Sequence, residues 1–170
     1  MMRNLSAFVA LVSLASLHGA SAAETADHGA KIYQRCAACH LPTGAGVPGA
    51  FPALAGRVGV AAANDAGRDY LVMTVAAGLM GEIEVDGVKI RGVMPAQAGL
   101  TDADIAAVLN YASSLKAPAA TAAAKPFTAE EVAAIRGRHA GANPTAVHAI
   151  RSGVFDGAAS AGDKSSGPEK

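Results

Sequence analysis

The chain has 170 residues, with 14 basic and 14 acidic side chains, few aromatic residues and no tryptophan. A balanced charge excludes a protein built to bind nucleic acid electrostatically, and so thin an aromatic complement would leave an ordinary fold of this length short of core. The length allows one domain with an appendage.

The first 23 residues read as a secretory leader. Met1-Met2-Arg3-Asn4 is followed by an apolar run from Leu5 to Leu17 and then by Ala20-Ser21-Ala22-Ala23, the basic start, apolar centre and small-residue cleavage region of a signal peptide. Cleavage after Ala22 or Ala23 is expected. The apolar run is shorter than the roughly 20 residues that a helix needs to span a bilayer, so the expected product is an exported, soluble, periplasmic protein with no stable membrane span. Loss of Arg3 leaves that product nearly neutral.

A helix is expected from about Asp27 to Ala38, with Ala30, Ile32 and Tyr33 on the side that presents Cys36. Gly29 within it reads either as a point of close helix crossing or as part of a frayed first turn. The helix runs into Cys36-Ala37-Ala38-Cys39-His40, the c-type haem attachment spacing. On one helical turn two sulfurs can reach the two vinyl groups of one porphyrin while the adjacent imidazole swings beneath the iron. Cys36 and Cys39 are therefore read as thioether anchors of one covalently bound haem c, and His40 as the proximal iron ligand. Competing chemistries fit less well. A thioredoxin-like pair belongs beside a βαβ pattern that is missing here, zinc would need two further close ligands, and a disulfide across so short a loop would constrain little. A buried porphyrin would also supply the apolar surface that the composition lacks.

From Leu41 to Gly59 glycine, proline and small residues dominate, which predicts an irregular loop carrying Phe51, Pro52 and Leu54 as apolar contacts. With these residues the chain resembles class I cytochromes c of the bacterial periplasmic kind, over about Asp27 to Leu115. Gly49-Ala50-Phe51-Pro52-Ala53-Leu54-Ala55-Gly56 is similar to that family's proximal loop. The resemblance implies an all-α cytochrome c fold of about three to four helices around one haem, and gives Pro52, twelve residues after His40, the task of accepting the free N–H of the haem histidine through its carbonyl. A proline that only stiffens the loop is the alternative.

A second helix is predicted over about Asp65 to Leu79, ended by Gly78 and Gly81. Ile83 to Ile90 alternates on both sides of Asp86-Gly87, a two-residue hairpin signal, and makes a small insertion relative to the shortest family members. Arg91-Gly92-Val93-Met94-Pro95-Ala96 resembles the family's distal-ligand loop, so Met94 is expected as the sixth ligand, with Met73 and Met80 as rivals on chemistry alone. A further helix begins at Thr101-Asp102-Ala103-Asp104 and carries Ile105, Val108, Leu109, Ala112 and Leu115 on one face. The resemblance makes it cross the first helix, Val108 and Tyr111 meeting Gly29 and Ile32.

The haem domain is thus expected over 24–116. Residues 117–126, alanine-rich and bounded by prolines, read as a linker or strap, and 127–151 as a helical extension. It opens on a Thr128-Ala129-Glu130-Glu131 capping box and has its last helix after Asn143-Pro144. Residues 152–170 read as a disordered tail. A histidine–thioether pair closes both axial positions, which points to an electron carrier and not an enzyme: single electrons would come from a dehydrogenase and pass to a terminal oxidase or another carrier. Two other functions stay open. One is the cytochrome subunit of a lasting dehydrogenase complex, with the extension as docking arm; the other is a haem enzyme or gas sensor with a labile sixth ligand, or with His139 or His148 in that place. Arg57, Lys89 and Arg91 are expected near the haem, offset by Glu82 and Glu84, which implies only a modest salt dependence of electron transfer.

Overall fold

The computed structural model describes residues 18–115, 125–152 and 154–155, with side chains from Glu24 onward. Most of the expected leader, residues 116–124 of the expected linker region and residues 156–170 of the expected tail lie outside the described residues. The elements run α1 (His18–His40), α2 (Arg57–Ala61), α3 (Asp65–Ala77), β1 (Leu79–Val85), β2 (Val88–Met94), α4 (Asp102–Ser114), α5 (Ala129–Arg138) and α6 (Pro144–Ile150). Among the described residues no helix is long and apolar enough to cross a membrane.

Helix α1 starts well before the expected Asp27, and the alanine-rich stretch 20–26 ahead of it contains neither glycine nor proline to stop a helix. Its packing on α4 turns on Gly29. A Cβ there would fall inside the Ala107 carbonyl and against Tyr111 Cβ, so the two backbones cross at a distance that only glycine allows. One turn later the Tyr33 and Tyr111 rings meet with centroids 5.1 Å apart. Tyr33 is buried and donates its hydroxyl to the Leu41 carbonyl at 3.1 Å. Burial, with smaller contributions from Cys36 and Tyr111, pushes its pKa up to about 12, so it remains a donor.

Two expectations along the middle of the chain change. The loop expected to Gly59 ends at Gly56, whose left-handed conformation (φ 76°) opens the five-residue α2; Val58 and Ala61 of that helix are buried. The hairpin is longer than Ile83–Ile90: Leu79 pairs with Met94 at its open end and Val85 with Val88 at the turn, where Asp86 (φ 54°) and Gly87 (φ 74°) take left-handed conformations. Gly78 (φ 83°) ends α3, but Gly81 lies inside β1. Helix α3 is capped by Asn64, which accepts from Gly67 N–H at 2.8 Å, and α4 by a full Thr101–Asp104 capping box.

The extension folds back on the preceding elements, with α5 against α4 and α3 and α6 against β1 and α3. Val132, Ile135, Val147 and Val154 are buried there. Arg68 of α3 fastens it. Its guanidinium donates to both Glu131 carboxylate oxygens (2.5 and 2.7 Å), to the Ala62 carbonyl (3.1 Å) and to the Lys125 carbonyl (2.9 Å), and lies 3.8 Å from the Phe127 ring centroid. The expected capping box is only half used: Thr128 accepts from Glu131 N–H, while the Glu131 carboxylate turns to Arg68. Asn110 holds Phe127 through its backbone N–H and carbonyl, and Asp69 accepts from Arg138 (2.6 Å) and pairs with His139 (2.8 Å). Within the tail expected to be disordered from 152, Val154 is buried and Phe155 stacks edge-on against Tyr70.

Gly29→Ala is expected to cost about 1–3 kcal/mol, as overpacking does, read as a lower denaturation midpoint. Arg68 holds Glu131 below the ordinary carboxylate range, by hydrogen bonding first. The sign follows: the pair's contribution is complete above the ordinary glutamate value near 4.5 and is lost as pH falls through the depressed folded value. Amide-exchange protection of Val132 and Ile135 should therefore drop on acidification before that of α1 and α4. In Glu131→Gln it should already be lowered at neutral pH and lose this acid step.

Candidate haem-binding site

Cys36, Cys39, His40, Pro52 and Met94 all line one cavity of about 270 Å³. The end of α1 carries the two thiols and the imidazole; Cys36 is half-buried and Cys39 exposed. His40 is 6% exposed, and its Nδ1 donates to the Pro52 carbonyl at 2.8 Å. That bond fixes the tautomer and the ring plane, leaving Nε2 as the free ring nitrogen. Burial lowers the His40 pKa, opposed by the Pro52 bond, so the neutral form is favoured.

The loop that supplies Pro52 is held by its own backbone. Gly46 N–H donates to the His40 carbonyl at 3.0 Å, and Val47 and Phe51 form an isolated antiparallel bridge. Gly46 (φ 65°) packs so closely on Phe51, Pro52 and Ala53 that any Cβ would displace the carbonyl that holds His40. Phe51 and Leu54 join the cavity wall, as the sequence suggested.

The opposite wall is the hairpin. Side chains alternate along a strand, so Leu79, Gly81, Ile83 and Val85 of β1, and Ile90, Gly92 and Met94 of β2, share the cavity face. Met80 pairs with Val93, is 46% exposed and does not line the cavity. Met73 is buried in the core and does not line the cavity. Parity therefore separates the three methionines: only Met94 presents its thioether to the space that His40 faces. Gly78 lets the strand return there, since a Cβ would sit 2.6 Å from the Met94 carbonyl and 2.8 Å from Ala96 N.

The donor set suits a porphyrin. The wall is mostly apolar, a neutral imidazole nitrogen and a thioether are the iron-binding atoms it offers, and the Thr74 hydroxyl on it is buried with no hydrogen-bond partner of normal geometry among the described residues. No group of three or more His, Cys, Asp or Glu side chains able to hold a metal ion occurs among the described residues. His139 pairs with Asp69, and His148 bonds the Glu82 carbonyl at 2.6 Å; neither lines the cavity. Of the three cations expected near the haem, only Arg57 lines it. Lys89 and Arg91 lie on the outer face of the hairpin and both pair with Glu82. The extension supplies two wall residues that sequence reasoning missed, Arg151 and Phe155. No local pattern around either marks them, because their partners Glu84 and Tyr70 are more than sixty residues away in the chain.

The cytochrome c family model matches residues 26–116. A cytochrome c-552 of Thermus thermophilus is 47% identical over 139 residues, covering 81% of this chain and 88% of that protein. A second cytochrome c-552 from Thermus thermophilus is 50% identical over 111 residues, covering 65% of this chain and 85% of that protein. The first likeness is longer than the family-matched segment and so reaches beyond it. With more than half of the chain matched and the thiol pair at the end of α1, the chain belongs to the cytochrome c family and is a class I c-type cytochrome.

Proposed function

We propose that this chain is an exported monohaem electron carrier of the periplasm, with haem c attached through Cys36 and Cys39 and its iron held between His40 and Met94. The observation that carries the reading is the juxtaposition across one cavity of a His40 ring fixed by Pro52 and a strand whose parity turns Met94 inward. Export rests on the leader pattern of residues 1–23, and a haem domain over 24–116 is supported by the family match over 26–116.

A c-type haem, when bound, supplies a one-electron couple whose potential is raised by thioether ligation relative to two histidines. The protein's residues do the rest. Pro52 orients His40 and favours its ligating tautomer. The apolar strands exclude water from the iron, which raises the cost of the extra ferric charge. Gly78 and the hairpin register hold Met94 in place, so that an electron passes with little rearrangement. Such a site needs only a brief, small contact with each partner. A donor of the dehydrogenase class and an acceptor of the oxidase or carrier class fit this chemistry. The extension packs against α3, α4 and β1, which favours a strap over a free docking arm.

Met94→Ala should give a folded haem protein whose ferric spectrum changes, whose reduction potential falls, and whose ferrous form binds carbon monoxide rapidly at neutral pH. Met80→Ala should leave all three within error. A Met94→Ala protein indistinguishable from wild type by absorbance, potentiometry and carbon monoxide titration would remove the proposed ligation.

A further inference from the structure

The hairpin is held from behind by a residue that the site described so far does not use. In a two-residue hairpin the pair that closes the turn, here Val85 and Val88, exchanges backbone hydrogen bonds, and alternate pairs do so along the ladder. The carbonyls of Glu82 and Glu84 therefore point away from β2, to the free edge of β1. Both are taken by the C-terminal extension: His148 Nε2 donates to the Glu82 carbonyl at 2.6 Å and Arg151 Nη2 to the Glu84 carbonyl at 2.9 Å. Two side chains about one helical turn apart thus stand where a third strand could otherwise add. His148 also fits the strand in shape. A Cβ on Gly81 (φ 152°) would lie 2.5 to 2.8 Å from three atoms of the imidazole, so only glycine lets the ring lie against β1.

Gly81 pairs with Gly92, two residues before Met94, and both glycines line the cavity. Neither has a side chain to pack, so the ladder is weakest beside Met94. After Met94 the chain is fixed at once, because Gln97 N–H donates to the Val75 carbonyl at 2.9 Å. Before it, the backing comes from His148, whose neighbour Val147 is fully buried and seats α6 against β1 and α3. We propose that His148 is a positioning residue for Met94: by holding the Glu82 carbonyl and backing the Gly81–Gly92 pair from outside, it keeps the thioether turned to the cavity. This rests on the His40–Met94 reading above. Without the bond, the Glu82 carbonyl turns to water and the glycine pair flexes, so the strand that carries the sulfur spends more time displaced. The displaced state is the one that admits an external ligand, and the apparent affinity for that ligand rises in proportion to its population.

The test is titration of full-length ferric holoprotein with imidazole at neutral pH, followed by absorbance, with thermal denaturation measured alongside. His148→Ala should bind imidazole about fivefold more tightly than wild type, the effect of losing one hydrogen bond of ordinary strength. His148→Gln still carries a donor for the Glu82 carbonyl and should lie closer to wild type than to the alanine variant. Val147→Ala removes buried volume from the same helix without touching that carbonyl; it should lower the denaturation midpoint and leave imidazole affinity within about twofold of wild type. A His148 that merely fastens the extension would make imidazole affinity follow stability, with Val147→Ala shifted as far as His148→Ala, and that result overturns the proposal. So does an unshifted His148→Ala, or a glutamine variant as shifted as the alanine one. If His148→Ala yields no folded holoprotein, Gly81→Ala carries the test, because its Cβ displaces the ring: imidazole binding tighter than in Val147→Ala supports the proposal, and unchanged binding overturns it. Met94→Ala should bind imidazole more tightly than all of these. If it does not, the ligation reading fails and this inference with it, whereas a shifted Met94→Ala beside an unshifted His148→Ala overturns this inference alone.

Discussion

One hydrogen bond sets the frame of the molecule: the His40 ring donates to the Pro52 carbonyl inside an apolar wall. A buried imidazole can turn, change tautomer or protonate, and each of these would spoil it as a ligand. The carbonyl removes the first two freedoms and the surrounding apolar atoms oppose the third. Everything around it serves to keep donor and acceptor in place. The Gly29 crossing fixes where α1 ends, the Tyr33 hydroxyl holds the carbonyl of the next residue, and the glycines of the following loop bring Pro52 back across. Leu41, directly after His40, adopts a left-handed conformation (φ 64°). For a leucine that is strained by about 1–2 kcal/mol, and the turn is kept by bonds from Tyr33 and Gly44 to its carbonyl.

The parts of this arrangement that could be read from the sequence are those written in short spacings. Cys36, Cys39 and His40 lie within about one turn, Pro52 lies at a fixed distance beyond them, and Asp86-Gly87 marks its own turn. The periodic faces of α3 and α4 were equally visible. Less visible were features set by contacts distant in the chain. The hairpin reaches Leu79 and Met94 because those residues find each other across a cavity, and α2 exists because Val58 and Ala61 are buried. Likewise, no pattern near Glu131 tells that it will abandon its own helix cap for an arginine sixty-three residues earlier. The first residues of the tail show the same limit. Its composition suggests disorder, yet Val154 and Phe155 find apolar neighbours in the body of the protein.

The extension is joined to the domain mainly through side chains that reach from α3 and α4. Arg68, Asp69 and Asn110 each hold a different point of it, and three of those contacts go to backbone groups, the carbonyls of Lys125 and Phe127 and the Phe127 N–H, that almost any residue could supply. Those three contacts depend on where the chain passes and little on what it carries there, whereas Glu131, Arg138 and His139 contribute side chains of their own. This leaves α5 and α6 free to vary on their outer faces while their path stays fixed. At the far end that path brings a cation and an aromatic ring to the cavity wall.

The antiparallel pairing of β1 and β2 has a consequence for how such a chain can change. Because every second residue faces inward, a single inserted or deleted residue between Asp86 and Met94 would turn the thioether to solvent and bring its neighbour to the cavity side. Two residues added together, one to each strand at the turn, would lengthen the hairpin and leave the sulfur where it is. Length variation in this region is therefore constrained by parity, and the chemistry of a two-residue turn at the molecule's edge governs which atom is available at its centre.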